Sequence, residues 1–108
     1  GFKLALENLS SGRLALAAGS SRGTREMLKM AIEYVKQREQ FGRPIGNFEM
    51  IQRKIAIAAA DCYAADAGWM LCAGMVDRGG VDFSLETAAC KVYASELAWR
   101  SASDAMQM

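Results

Sequence analysis

The residues best suited to chemistry lie in the stretch "REQFGRPIGNFE", between two long helical patterns. Arg38 carries a permanent charge and a planar fork of donors that suits phosphate oxygens. Gln40 adds an amide and Phe41 a ring, while Gly42 and Gly46 permit positive φ or close approach of the backbone. An arginine, an amide, a ring and a helix N-terminus suit the diphosphate of an adenine nucleotide. We therefore predict a nucleotide site in this connection.

A structural role for Arg38 is the alternative. At a helix end its side chain could instead cap the last carbonyl groups, and its position alone favours that role. The composition of the loop favours phosphate binding. Pro44 stiffens the turn, Asn47 is predicted to cap the next helix, and Glu49 lies in that helix's first turn.

Other catalytic constellations are missing from the sequence. With no histidine among the 108 residues, a Ser-His-Asp or Cys-His arrangement cannot be built. Cys62, Cys72 and Cys90 lack the short paired spacing of zinc or redox sites, so we interpret them as reduced core thiols in a reducing compartment. No metal-ligand pattern is present, and we expect Asp66 to reach solvent at the edge of the second helix.

Composition limits the classes of partner. The 13 basic and 12 acidic residues are interspersed, which gives no nucleic-acid footprint. Hydrophobic residues make up 52% without any run of about 20 apolar residues, so we predict a core-rich chain with no membrane span. No secretory leader is visible, and the C-terminus stops within a helical pattern. We interpret both ends as cuts.

Helices must position these residues. The sequence predicts an all-α fold of long antiparallel helices in an up-down bundle, with helices at about 11–38, 48–78 and 84–108 and a fourth truncated. Gly19 and Gly23 are interpreted as points of close backbone approach, and Asp82 or Ser84 as the cap of the third helix. Two apolar seams are predicted. The first comprises Ile51, Ile55, Ala58, Cys62, Ala65, Trp69, Cys72 and Val76; the second comprises Leu85, Ala88, Val92, Ser95, Trp99, Ala102 and Met106.

Spare apolar surface is expected around Trp69, Trp99 and the methionines, because two seams do not close a core among three long helices.

At "REQFGRPIGNFEMIQ" the sequence resembles the C-terminal helical domain of the acyl-CoA dehydrogenases, which carry an R-x-x-F-G turn there. "GFKLALENLSSGRLALAAGSSRG" resembles the family's first helix of this domain, and "ACKVYASELAWRSASDAMQM" the helix that leads to its Q-x-x-G-G turn. The resemblance spans residues 1–108 as an incomplete domain. The wording "NLSSGR" and "KVYASELAW" is most similar to the very-long-chain branch.

The resemblance implies an FAD site shared between subunits. In the family this turn reaches the FAD of a neighbouring subunit, so Arg38 would contact the diphosphate, with Gln40 and Phe41 along the cofactor. Phe48 and Glu49 match positions near the flavin, although a carboxylate at Glu49 departs from the usual glutamine. The resemblance also assigns FAD contact to one residue of the last helix, Gln107.

A substrate-lining role is implied for Ser10, Ser11, Gly12 and Arg13, of which Arg13 alone keeps the usual side chain. The implied parent enzyme introduces an α,β double bond into acyl-CoA thioesters in fatty acid β-oxidation and passes electrons to an electron-transfer flavoprotein. The family's glutamate base has no counterpart here, because Gly12 occupies one of its two known places and the sequence stops before the other. We therefore expect the isolated chain to be inactive.

The resemblance further implies a homo-oligomer, at least a dimer and commonly a tetramer. It implies the cytoplasm for a bacterial protein and the mitochondrial matrix for a eukaryotic one. Two alternatives remain: an acyl-CoA oxidase or flavin monooxygenase of the same fold, and a non-catalytic helical interaction module.

Overall fold

A computed structural model describes residues 1–79 and 83–107, apart from the side chains of residues 3, 6–8 and 10. Helices dominate it, and the predicted all-α class is confirmed. A small antiparallel hairpin within the first connection was not predicted. The elements are α1 (Phe2–Gln37), β1 (Glu39–Gln40), β2 (Arg43–Pro44), a 3₁₀ turn (Ile45–Asn47), α2 (Glu49–Arg78) and α3 (Ser84–Gln107).

The first helix is longer than predicted and unbroken. It begins at Phe2, well before the predicted start near residue 11. A Cβ placed on Gly19 or Gly23 would meet nothing within 4 Å, and both residues are exposed. The interpretation of these glycines as close-approach points is therefore wrong within this chain. They face outward because the opposite side of α1 buries Ala17 and Ser21.

The helices run up, down and up. Contacts between α2 and α3 pair early residues of one with late residues of the other: Lys54 with Asp104 at one end, and Cys72 with Cys90 at the other. The predicted antiparallel arrangement of α2 and α3 is confirmed. The bundle is elongated, measuring 63 × 21 × 16 Å along its principal axes.

Among the described residues, two small clusters hold most of the buried apolar side chains. The larger, between the helices, is built mainly from short side chains, which let the helix axes approach closely. The smaller lies at the hairpin end of the bundle. Their buried members are Ala17, Cys62, Ala65, Ala94 and Leu97 in the first, and Val35, Ile45 and Ile51 in the second. Every residue of the predicted α2 seam is buried or half-buried, which confirms that seam.

The predicted α3 seam is largely wrong. Leu85, Trp99 and Met106 are 78%, 73% and 85% exposed, whereas Ala94 and Leu97 are almost completely buried. α3 turns inward the face that carries Thr87, Ala94 and Leu97, and leaves Leu85, Trp99 and Met106 outside. The expected spare apolar surface therefore exists around Trp99. The cap of α3 was predicted at Asp82 or Ser84. Asp82 lies outside the described residues, and Ser84 is the first residue of the helix itself.

A polar cluster joins α1 to α2. The Asp66 carboxylate accepts hydrogen bonds from the Ser21 hydroxyl and from Trp69 Nε1, the latter at 3.0 Å, and forms an ion pair with Arg25. Only 13% of the Asp66 side chain is exposed, so the expectation that it reaches solvent is wrong. A carboxylate can stay buried here because its oxygens are paired. The same cluster keeps the Trp69 side chain itself packed against the core, while its neighbours Met70 and Leu71 are exposed.

By length and hydropathy alone, the described part of the chain contains one helix that could cross a membrane, α2. The core helix of a soluble protein meets the same criterion. The middle of α2 carries Asp61 and Asp66, which pair with groups on α3 and α1. Ionised groups at the centre of a bilayer are costly, so these pairs favour packing of α2 against other helices over a membrane span; 17% of its apolar window is buried within this chain.

Candidate cofactor and substrate sites

The hairpin between α1 and α2 turns at Phe41 and Gly42. Gln40 pairs with Arg43 across it, and both turn residues have positive φ, 56° and 82°. Two-residue hairpin turns favour this geometry because it matches the strand twist. Gly42 adopts it freely, as the sequence suggested. Phe41 does not, since its Cβ makes this region of φ unfavourable.

The hairpin is fixed to the bundle on its far side. The Ile45 amide donates to the Arg38 carbonyl at 2.8 Å, and the Ile45 side chain is buried with Val35 and Ile51. A Cβ on Gly46 would lie 3.2 Å from the Val35 carbonyl oxygen. The expected close approach is therefore found at Gly46, where the loop backbone rests directly on α1.

The start of α2 lacks a side-chain cap. Phe48, with φ −84° and ψ 134°, is the residue that precedes the helix, and it makes no capping hydrogen bond. The predicted cap at Asn47 is wrong. Asn47 completes the 3₁₀ turn, Phe48 occupies the cap position, and α2 begins at Glu49. Glu49 is exposed in the first turn. The first amides of α2 are thus left without a side-chain acceptor and can face an anion.

Arg38 ends α1 with its side chain exposed. Its amide donates to the Tyr34 carbonyl at 2.9 Å, so the backbone closes the helix. Its guanidinium makes no hydrogen bond or ion pair with the described residues, which gives the capping alternative no support. Because side chains alternate along a strand and opposed residues share a face, Gln40 and Arg43 project to one side of the hairpin. Arg38, two residues before Gln40, continues that face.

Aromatic rings flank the same turn. The Phe41 and Phe48 rings meet edge to face, with centroids 6.1 Å apart and planes at 83°. The guanidinium carbon of Arg43 lies 4.2 Å from the Phe48 ring centroid, a cation–π geometry. Phe41 is nevertheless 91% exposed. Arg43 was not among the predicted site residues; its position directly across the turn from Gln40 could have indicated it.

The end of α3 lies beside the start of α2. Lys54, in the second turn of α2, donates from Nζ to Gln107 Oε1 at 3.4 Å and lies 3.7 Å from an Asp104 carboxylate oxygen. The fold therefore brings Gln107 to the hairpin end of the bundle. The predicted cofactor residues Arg38, Gln40, Phe41, Phe48, Glu49 and Gln107 all lie at this end.

The predicted substrate residues lie elsewhere, in the first part of α1. Ser11 and Gly12 are exposed and Arg13 is half-buried, while the side chain of Ser10 lies outside the described part of the chain. An open depression beside them is lined by Ala5, Leu9, Gly12, Arg13 and Leu16. At 1.5 Å per residue, Arg13 and Arg38 are about 37 Å apart along α1.

The marked pKa shifts of the described residues fall outside both regions. Burial raises the pKa of the Cys62 thiol, and burial together with a hydrogen bond that the Cys72 thiol donates to Cys90 raises the pKa of Cys72 to about 11. Burial and a hydrogen bond to Asp61 raise the pKa of Tyr93. The hairpin and the Arg13 region present guanidinium groups, amides and rings, which suit binding.

Comparisons with known proteins agree on one family. Residues 1–108 match the family described as "Acyl-CoA dehydrogenase, C-terminal domain". A curated relative, the mitochondrial very long-chain specific acyl-CoA dehydrogenase of Macaca fascicularis, is 33% identical over 108 residues, which are 100% of this chain and 16% of the relative.

Two solved structures have nearly the same fold. Butyryl-CoA dehydrogenase from Megasphaera elsdenii matches with a TM-score of 0.94 and 34% identity, covering 99% of this chain and 28% of the other. A chain of a structure described as the electron transferring flavoprotein of Acidaminococcus fermentans matches with a TM-score of 0.95 and 36% identity. The match covers 99% of this chain and 28% of the other. This chain therefore spans less than a third of the relatives that it matches. With the family match along its whole length, the chain belongs to the acyl-CoA dehydrogenase family, as its C-terminal helical domain.

Proposed function

We propose that this chain is the helical part of an FAD-dependent acyl-CoA dehydrogenase, which forms an α,β double bond in acyl-CoA thioesters. In that enzyme the chain binds FAD through the hairpin end, lines the acyl-CoA site through the start of α1, and contributes to the subunit interface. The function rests on family membership and on the placement of the two candidate sites.

The separation of those sites carries the proposal. A flavin and the carbon it oxidises must be in contact, within about 3.5 Å. The Arg13 and Arg38 regions of one chain are about 37 Å apart on a continuous helix. The FAD site implied by the family is shared between subunits, and this separation is consistent with centres that each take Arg13 from one subunit and Arg38 from another. This arrangement requires at least a homodimer.

The hairpin residues fit FAD. The exposed guanidinium groups of Arg38 and Arg43 and the amide of Gln40 share a face on which diphosphate oxygens can be bound. The uncapped amides of α2 add partial positive charge. Phe41 supplies an exposed ring for a planar group, and Gln107 keeps its amide N–H groups available because Lys54 binds its oxygen.

Glu49 is the exception to this fit. A carboxylate repels phosphate, so we assign Glu49 to the edge of the site, where its charge faces solvent and the first turn of α2. When bound, FAD would accept the hydride from the substrate's β-carbon. The residues of this chain bind and orient that cofactor.

The depression at Arg13 fits a chain with an anionic head. Leu9, Leu16 and Ala5 provide apolar walls, and Arg13 provides a charge for a phosphate of the CoA group. The name of the Megasphaera relative, butyryl-CoA dehydrogenase, supports an acyl-CoA as the substrate class. Gly12 in this region has no side chain to act as a base, so the α-proton is removed by a residue outside this chain.

An electron-transfer flavoprotein is the proposed electron acceptor, supported by the Acidaminococcus structure. We place the enzyme in the mitochondrial matrix if eukaryotic and in the cytoplasm if bacterial. The alternative function is that of an acyl-CoA oxidase, which would share the same hairpin but deliver electrons to dioxygen.

Absorption of the full-length protein that carries this chain tests the proposal. A yellow protein whose flavin band bleaches on anaerobic addition of a long-chain acyl-CoA supports it. Rapid recovery of the band in air, with peroxide release, would indicate the oxidase. A yellow protein that does not bleach with any acyl-CoA refutes the substrate class. A colourless protein that takes up no FAD refutes the flavoenzyme and supports the non-catalytic helical interaction module.

A further inference from the structure

Two cysteine thiols face each other where α2 and α3 pack together. Cys72 Sγ and Cys90 Sγ are 3.4 Å apart and share a hydrogen bond. Both are free thiols in the structure. A disulfide needs an S–S separation of about 2.05 Å, so small rotations of the two side chains would bring the sulfurs into bonding distance. Residues held this close from different helices act as a pair.

The two thiols differ in access. Cys72 is 3% exposed, whereas Cys90 is half-buried and lines an open apolar groove with Ala64, Ala65, Gly68, Ala89 and Tyr93. A Cβ on Gly68 would lie 3.4 Å from Cys90 Sγ, so the missing side chain keeps this sulfur open to the groove. A small molecule can therefore reach Cys90 first, with Cys72 behind it.

We propose that Cys72 and Cys90 form a site of reversible two-electron oxidation, with a small peroxide as the oxidant. The proposal stands independently of FAD and acyl-CoA binding, because the pair belongs to neither candidate site.

The chemistry proceeds in two steps. The deprotonated Cys90 sulfur attacks a peroxide oxygen, the O–O bond breaks, and Cys90 becomes a sulfenic acid while hydroxide leaves and takes up a proton as water. The Cys72 sulfur then attacks the Cys90 sulfur, the S–O bond breaks, and a second water leaves with the Cys72 proton. Two thiols are oxidised to one disulfide, and hydrogen peroxide is reduced to two waters.

The surroundings set the order of these steps. Burial and the hydrogen bond that Cys72 donates to Cys90 raise the pKa of Cys72 to about 11, so Cys72 stays a thiol and is a poor first nucleophile. Cys62 is buried in the larger core cluster with Ala17 and Leu97, and burial raises its pKa as well. We therefore expect Cys62 to take no part in the oxidation.

The disulfide would link α2 to α3 across their connection. It would close the loop from residue 72 to residue 90 in the unfolded chain, which lowers the entropy of that state and stabilises the fold. We expect oxidation to raise the Tm by several degrees and a dithiol reductant to reverse the rise.

The test uses the intact protein that carries this chain, treated with hydrogen peroxide and then alkylated. Trypsin places Cys72 in peptide 55–78 and Cys90 in peptide 79–91, and the expected product is these two peptides joined, two hydrogens lighter than their sum. Cys62 shares peptide 55–78, so a second digestion with chymotrypsin, which cuts after Tyr63 and Trp69, separates it from Cys72 without any substitution.

Variants define the order of reaction. Cys62→Ala should leave the link between peptides 55–78 and 79–91 intact, with the joined mass lowered only by the substitution. Cys72→Ala should leave a sulfenic acid on Cys90 that dimedone traps, and Cys90→Ala should leave Cys72 reduced over the same time. The proposal is overturned if peroxide leaves both thiols open to alkylation after unfolding, if Cys90 pairs with a different cysteine, or if Cys90 of the unaltered protein oxidises to a sulfinic acid without joining Cys72.

Discussion

At the scale of single residues, Phe41 occupies a backbone conformation that suits glycine or asparagine. Its positive φ costs about 1 kcal/mol or more, and its ring gains little from the chain, since it is 91% exposed. We expect Phe41→Gly to raise the free energy of unfolding by about 1 kcal/mol while it weakens FAD binding. Urea unfolding and FAD titration of the apoprotein measure the two effects. Lower stability in Phe41→Gly would show that the ring is needed to fold the hairpin.

Arg38 is exposed at the same turn and free of partners among the described residues. Removing a charge-assisted contact to phosphate costs about 1.5–3 kcal/mol, so Arg38→Ala should weaken FAD binding by about 10- to 100-fold with little change in helicity. Lys36→Ala is the matched control, because it removes a positive charge from the last turn of the same helix. Unchanged FAD content with a lowered Tm would instead assign Arg38 to capping.

Sequence patterns were informative about residue types and less so about their partners. The arginine, amide and ring of the hairpin indicate a binding loop. The position of Arg43 over Phe48 could not be predicted, because it depends on a turn only two residues long. The burial of Asp66 could not be predicted either, because its partners Ser21 and Arg25 come from a distant part of the chain.

At the scale of elements, two glycines that look alike in the sequence have opposite environments. A side chain at Gly46 would press on the Val35 carbonyl, whereas one at Gly19 would meet open space. We expect Gly46→Ala to lower the free energy of unfolding by about 1–3 kcal/mol through overpacking. Gly19→Ala should raise it by up to about 1 kcal/mol through helix propensity. Thermal unfolding measures both.

The outcome at Gly19 also tests the helix surface. If Gly19→Ala destabilises the full-length protein, a neighbour outside this chain packs against that glycine, and the original close-approach interpretation would apply between subunits or domains.

The helical class and the α2 seam could be predicted because an unbroken 3.6-residue period of apolar residues indicates an α-helix with one buried side. The α3 seam could not, because α3 carries apolar residues on more than one side. The side with Ala94 and Leu97 is buried and the side with Leu85 and Trp99 is exposed, a choice that depends on packing against the other helices. The hairpin strands are too short to show alternation.

At the scale of the whole molecule, stability should fall at alkaline pH. The pKa of Cys72 is about 11 in the fold against an ordinary 9.0, so below pH 9 folded and unfolded chains both hold the proton. As pH rises from 9 towards 11 the unfolded chain loses it first, and stability declines by about 2 kcal/mol. The raised pKa of Tyr93 acts in the same direction.

Urea unfolding at several pH values measures this decline. Cys72→Ala should flatten the slope between pH 9 and 11, whatever its effect on stability at neutral pH. An equally steep slope in Cys72→Ala would show that other groups are responsible.

The unbroken length of α1 has a genetic consequence. In the proposed function, one helix carries Arg13 and Arg38 to different reaction centres. A homodimer that lacks Arg13 in both subunits, or Arg38 in both, would then have a defect in every centre. In a mixed dimer of the two variants, one centre lacks both arginines, and the other centre has an intact Arg13 from one subunit and an intact Arg38 from its partner. Co-expression of Arg13→Ala and Arg38→Ala subunits should therefore restore up to half of the activity per mixed dimer, and the two alleles should complement each other in a diploid cell.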